Sequence, residues 1–124
     1  MRLQLLSDLH LETESFAPAP APGAELLVLA GDIYSGWAGF ERFRNWPVPV
    51  VLVAGNHEFD QREIPQAWPA LRALCGDIGI TLLECESRVV VDAQGKRLRL
   101  VGTTRWCDFD AFGVAQRGKA MRAA

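Results

Sequence analysis

A chain of 124 residues, 49% hydrophobic and 23% charged, has the size and composition of one domain able to bury its own core. A formal charge of −2 and a pI near 5.6 argue against bulk electrostatic attraction to nucleic acid, leaving only a local basic patch open. No apolar run reaches membrane-spanning length, and the stretch after Met1 is too short for a signal peptide, so the expectation is a cytoplasmic protein with no membrane partner.

Taken in chain order, Arg2 to Leu6 is an apolar-rich run of strand length that stops at Ser7-Asp8. Phe16 to Gly23 alternates Pro18, Pro20 and Pro22 with alanine, which predicts a stiff, extended, exposed loop. Glu25 to Ala30 is a second apolar run, ending at Gly31-Asp32, and Val48 to Ala54 a third, ending at Gly55-Asn56-His57-Glu58. Continuous apolar runs bounded by glycine and polar residues predict strands buried on both faces. Between the second and third, Trp37, Phe40 and Phe43 recur at near-helical spacing before Trp46-Pro47.

Ile64, Trp68, Leu71 and Leu74-Cys75 form an amphipathic stripe for which Gly76 is the expected cap, with Pro65 and Pro69 delaying the helix start toward Pro69. Then Ile80–Leu83, Arg88–Val91 and Leu98–Val101 predict strands in quick succession, a β-meander with its last turn at Asp92-Ala93-Gln94-Gly95. The stretch from Ala111 to Ala124 has helical composition despite Gly113 and Gly118. Cys75, Cys85 and Cys107 are irregularly spaced without a CxxC pair, which fits free thiols in a reducing compartment.

The polar residues gather at strand ends. Asp8 and His10 follow the first strand, Gly31-Asp32 the second and Gly55-Asn56-His57-Glu58 the third. In open α/β sheets, ligands bind outside the carboxyl ends of strands, so these ends converge on one crevice. If extended backbone persists past Asp8, Asp8 and His10 point to one side. A carboxylate and an imidazole aimed at one point suit a divalent transition metal rather than calcium. Each motif alone has a plain reading as a turn; their conjunction after successive strands points to a site. Glu58 is expected to supply a supporting hydrogen bond.

Leu6-Ser7-Asp8-Leu9-His10-Leu11, Ala30-Gly31-Asp32 and Gly55-Asn56-His57-Glu58 together resemble the calcineurin-like metallophosphoesterase superfamily, from residue 3 to about residue 109. Gly102-Thr103-Thr104-Arg105-Trp106 resembles a segment of one bacterial branch. The resemblance implies an α/β fold, the αββα sandwich of metal-dependent phosphatases, here as the N-terminal part of that domain over residues 1–124. It implies a hydrolase of phosphomonoesters or phosphodiesters with two divalent ions, Mn²⁺, Fe or Zn²⁺. Asp8 and His10 would bind the first ion, Asp32 would bridge both, and Asn56 would bind the second. His57 would be the catalytic residue beside the substrate phosphate, and Thr103, Thr104, Arg105 and Trp106 would line the substrate cleft, with Arg105 available to hold a phosphate; the plain reading of the same segment is a strand-end turn with a buried Trp106. Cations roughly 3.5–4 Å apart clamp phosphoryl oxygens during in-line displacement, and a shared carboxylate offsets their repulsion.

The family pattern also draws histidines from downstream Gly-His and Gly-His-x-His segments, whereas the two histidines of this sequence are His10 and His57. The resemblance therefore implies an incomplete second metal shell and an impaired or inactive 124-residue fragment. It further implies an uncovered apolar sheet surface prone to self-association. A different reading is a degenerate, non-catalytic module that keeps the fold as an interaction surface; a third is a partner chain that supplies the missing ligands.

Overall fold

The computed structural model describes residues 1–123. Each apolar run becomes a strand of one parallel sheet: β1 (Leu3–Leu6), β2 (Leu26–Ala30), β3 (Val50–Val53) and β4 (Ile80–Leu82), side by side in sequence order. Their register is tight, Leu5 opposite Val28, Val28 opposite Val51, and Leu52 opposite Leu82. A parallel sheet in sequence order, with connections of one hand, lays every connection on the same face.

The packing follows that rule. Leu27, Leu29, Val50, Leu52, Ile80 and Leu82 point to a core completed by Phe40, Phe43, Leu71, Cys75 and Ile78 from the connecting segments. The opposite sheet face carries Leu26, Val28, Val51 and Val53, covered by Val90, Leu98 and Leu100. These last residues belong to an antiparallel hairpin, β5 (Glu86–Val91) and β6 (Arg97–Gly102), which forms a separate two-stranded sheet. The result is helical segments, parallel sheet and hairpin, in layers. The hairpin reaches only part of the face: on the edge strand β1, Leu3 is 48% and Leu5 65% exposed.

Four expectations change. The run at Ile80 is not the first strand of a meander but β4, parallel to β3, with Leu83 N continuing the ladder to Leu52 O at 2.9 Å. The 15-residue helix α1 (Ile64–Ile78) supplies the long crossover that a parallel neighbour requires. Its boundaries also differ: it starts at Ile64 with Pro65 in the first turn, tolerates Pro69 inside, and runs through Gly76 to a cap at Gly79. Gly79 adopts a left-handed φ of 93° and donates its N–H to Cys75 O at 2.9 Å. The aromatic stretch after Trp37 closes as a 3-10 helix, Ala38–Phe43, rather than an α-helix. Toward the end of the chain, helix begins only after Gly113, as a 3-10 turn at Val114–Gln116 and α2 at Arg117–Ala123.

The proline-rich loop is mostly exposed, and the Gln4 amide pins it, donating to Ala19 O at 2.8 Å and accepting from Ala21 N at 3.0 Å. Asp92 closes the hairpin turn, its carboxylate accepting from Gln94 N at 3.0 Å and Lys96 N at 2.7 Å. Among the described residues, no helix is long and apolar enough to cross a membrane.

Candidate metal centre and adjoining cleft

The carboxyl ends of β1 and β2 stay paired through their backbones beyond the strands. Asp8 N donates to Gly31 O, His10 N to Asp32 O and Leu11 N to Ile33 O, each at 3.0 Å. Extended geometry does not persist here, contrary to the simple alternation argument. Asp8, His10 and Asp32 take left-handed φ values of 52°, 43° and 53°. Such backbone costs a residue with a Cβ about 1–2 kcal/mol, so the surrounding pairing must hold it. The kinks still bring the side chains to one place: the donor atoms of Asp8, His10 and Asp32 all lie within 4.8 Å of one another.

Two glycines make this convergence sterically possible. A Cβ on Gly31 would lie 2.9 Å from both Cα and N of Gly55, and one on Gly55 would lie 2.1 Å from Asp32 Oδ1. The ends of β2 and β3 therefore touch backbone to backbone.

Glu58 holds the ends together. Its side chain is fully buried, and its carboxylate accepts from four backbone N–H groups: Asp32 at 3.0 Å, Ile33 at 2.7 Å, Tyr34 at 3.3 Å and Gly55 at 2.6 Å. A buried carboxylate is tolerable only when its lone pairs are engaged in this way. The Trp37 indole N–H also donates to the Glu58 carbonyl at 2.7 Å. The single supporting bond expected from sequence is thus a four-donor anchor.

Asp32 Oδ1 accepts from His57 N at 3.0 Å, which ties the 3-10 turn His57–Phe59 to the centre. The His57 ring stands edge-on to that of His10, centroids 5.2 Å apart. Its Nδ1 pairs with Asp60 Oδ2 at 2.9 Å. That bond raises the imidazole pKa above its ordinary value against desolvation, and the charges of Asp60, Asp32 and Glu12 add to it. His10 Nδ1 meets Glu12 Oε1 at 3.2 Å, an arrangement that orients a ligating imidazole with its other nitrogen free. Glu12 Oε2 in turn accepts from Ser35 N at 3.2 Å. Glu12 and Asp60 carried no signal in sequence, because each acts through a turn whose course depends on the fold.

Two carboxylates and an imidazole at this spacing fit a divalent transition metal by the chemistry of their donors. Asn56 lies exposed at the start of the His57 turn, on the rim of a cleft of about 540 Å³. Phe59, Asp60, Arg62, Arg105, Trp106, Cys107 and Phe109 also line this cleft. Thr104 does not face the cleft: it is buried, its hydroxyl donating to Ala54 O at 2.8 Å and its N–H to Glu84 Oε2 at 2.9 Å. It anchors the end of β6 to the end of β3, and Trp106 emerges 44% exposed rather than buried.

The family model described as calcineurin-like phosphoesterase matches residues 1–111. Among solved structures, the chain is similar to the phosphopantetheinyl hydrolase of Mycobacterium tuberculosis, with 21% identity and a TM-score of 0.69. That likeness covers 88% of this chain and 44% of the other, so the chain spans less than half the length of the protein it matches. At this identity the likeness speaks for the fold. No curated protein matches.

Proposed function

The chain belongs to the calcineurin-like phosphoesterase family, and from that premise we propose that it forms the N-terminal part of a metal-dependent hydrolase of phosphomonoesters or phosphodiesters, within an αββα sandwich. The observation that carries this reading is the meeting of Asp8, His10 and Asp32 donors within 4.8 Å at the ends of adjacent strands.

In this reading Asp8, His10 and Asp32 hold a first ion, and Asp32 with Asn56 reaches a second. A bound divalent ion of this kind supplies Lewis acidity toward phosphoryl oxygens and activates water. Mn²⁺, Fe and Zn²⁺ all suit these donors. The chain's own residues do the rest. His57, oriented by Asp60 and charged more readily because of it, stands beside the phosphate and donates a proton to the departing oxygen. Arg105 offers a fixed positive charge to the substrate from the cleft. Thr104 positions that segment without touching substrate. The free thiols of Cys75, Cys85 and Cys107 support residence in the reducing cytoplasm.

Two histidines cannot complete both metal shells of the family pattern, so the 124-residue chain is expected to hold one ion weakly and to hydrolyse slowly. Calorimetric titration with Mn²⁺ tests the centre directly. Asp32→Asn should weaken binding at least tenfold, and any Mn²⁺-dependent cleavage of bis(p-nitrophenyl) phosphate should fall with it. Unchanged Mn²⁺ affinity in that variant would sink the proposal.

A further inference from the structure

Beside the metal-binding residues the cleft carries a stack of aromatic rings. Phe59, two residues past His57, is only 6% exposed. Trp68 packs behind it with ring centroids 4.6 Å apart, and Trp106 in front at 5.4 Å. Phe59 thus leans on a helix residue and supports the indole of Trp106. That indole nevertheless leaves 44% of its surface open. A large ring held in place by its neighbours but uncovered on one side keeps apolar area in water that a ligand can recover.

The charges around this ring are arranged for an anion. Arg62 is fixed: its guanidinium lies 4.1 Å from the Trp37 ring centroid and donates to Ser35 O at 2.9 Å and Asp60 O at 3.0 Å. Arg105, adjacent to Trp106 in sequence, makes no ion pair among the described residues. Asp60, the acidic residue of the lining, is engaged by His57. The cleft volume of about 540 Å³ exceeds what a bare phosphate fills and lies in the ordinary range for small-molecule sites.

We propose that this cleft is the leaving-group subsite. It receives a planar aromatic or apolar alcohol esterified directly to the phosphate, stacked on Trp106, with Arg105 drawing in the anion. This rests on the phosphoesterase reading and narrows its substrate class: esters of aromatic or apolar alcohols are preferred over those of small polar ones. Trp106 determines specificity, and His57 and the residues that would hold the metal face the phosphate itself.

The test is calorimetric binding of phenyl phosphate, methyl phosphate and inorganic phosphate to the Mn²⁺-loaded chain. Stacking of a ring on an aromatic side chain corresponds to a preference of roughly 5- to 100-fold for phenyl over methyl phosphate. Trp106→Ala should bring the phenyl-to-methyl ratio near one, and Trp106→Phe should restore much of it, a recovery that a merely structural role would not give. If inorganic phosphate binds but phenyl phosphate has no advantage, or if Trp106→Ala keeps the advantage, the subsite is refuted while the phosphoesterase reading stands. If none of the three ligands binds, both are refuted.

Discussion

Glu58 shows how much of the candidate site's geometry depends on one buried side chain. Its carboxylate gathers N–H groups from Asp32, Ile33 and Tyr34 after β2 and from Gly55 after β3. Glu58→Gln keeps the shape but turns an amide N–H₂ toward backbone donors, removing charge-assisted bonds at a buried position. The expected loss is about 2–4 kcal/mol of folding stability, read as a lower urea midpoint, with weaker Mn²⁺ binding because Asp32 is no longer held. An unchanged midpoint would mean that water or repacking replaces the anchor. Cys75 is the opposite case, a buried residue without a chemical role. Burial pushes its thiol pKa up to about 12, the charge of Glu58 adding and that of Arg72 opposing, so it stays protonated and inert.

Among the elements, α1 separates two glycines that look alike in sequence. Gly76 is exposed inside the helix, and open space surrounds the position that an added methyl group would take, whereas Gly79 ends the helix at φ 93°. Gly76→Ala should therefore stabilise the protein by about 0.5–1 kcal/mol through helix propensity, and Gly79→Ala should destabilise it by about 1–2 kcal/mol through left-handed strain. Thermal melts of the two variants should move in opposite directions; a shift of the same sign in both would contradict the cap. Pro69 is tolerated in the same helix because Ala67, Leu71, Cys75 and Ile78 bury a continuous stripe against the sheet. That burial outweighs the one backbone bond that proline forfeits.

For the whole molecule, the sheet's second face is covered, among the described residues, mainly by the hairpin together with Met1 and Leu83. Gly102 lets β6 approach closely, since a Cβ there would lie 2.7 Å from Leu83 Cβ and from Val53 Cγ2. The hairpin does not extend over β1, where exposed Leu3 and Leu5 flank an unpaired strand edge. Apolar edge strands are templates for association. The 124-residue chain is thus expected to self-associate through this face, its average mass in sedimentation rising with concentration. Leu5→Lys should shift it toward monomer; a mass that is constant across concentrations would exclude the interface.

Much of the candidate site's layout could be read from residue order, because strand ends are marked by abrupt changes from apolar to polar. Asp8, His10, Asp32, Asn56 and His57 follow the three apolar runs, and the structure gathers the first three with His57 beside them. The exposed proline-rich loop and the hairpin turn at Asp92 were equally local matters of φ restriction and turn chemistry. Other features depended on distant partners. The strand at Ile80 joins β3 because α1 returns the chain across the sheet, and no local pattern distinguishes that from a meander. Likewise, Thr104 turns to Ala54, 50 residues away, and Glu58 serves donors up to 26 residues distant. Local composition sets periodicity and backbone freedom, but a hydrogen bond to a remote donor exists only once packing has brought the two ends of the chain together.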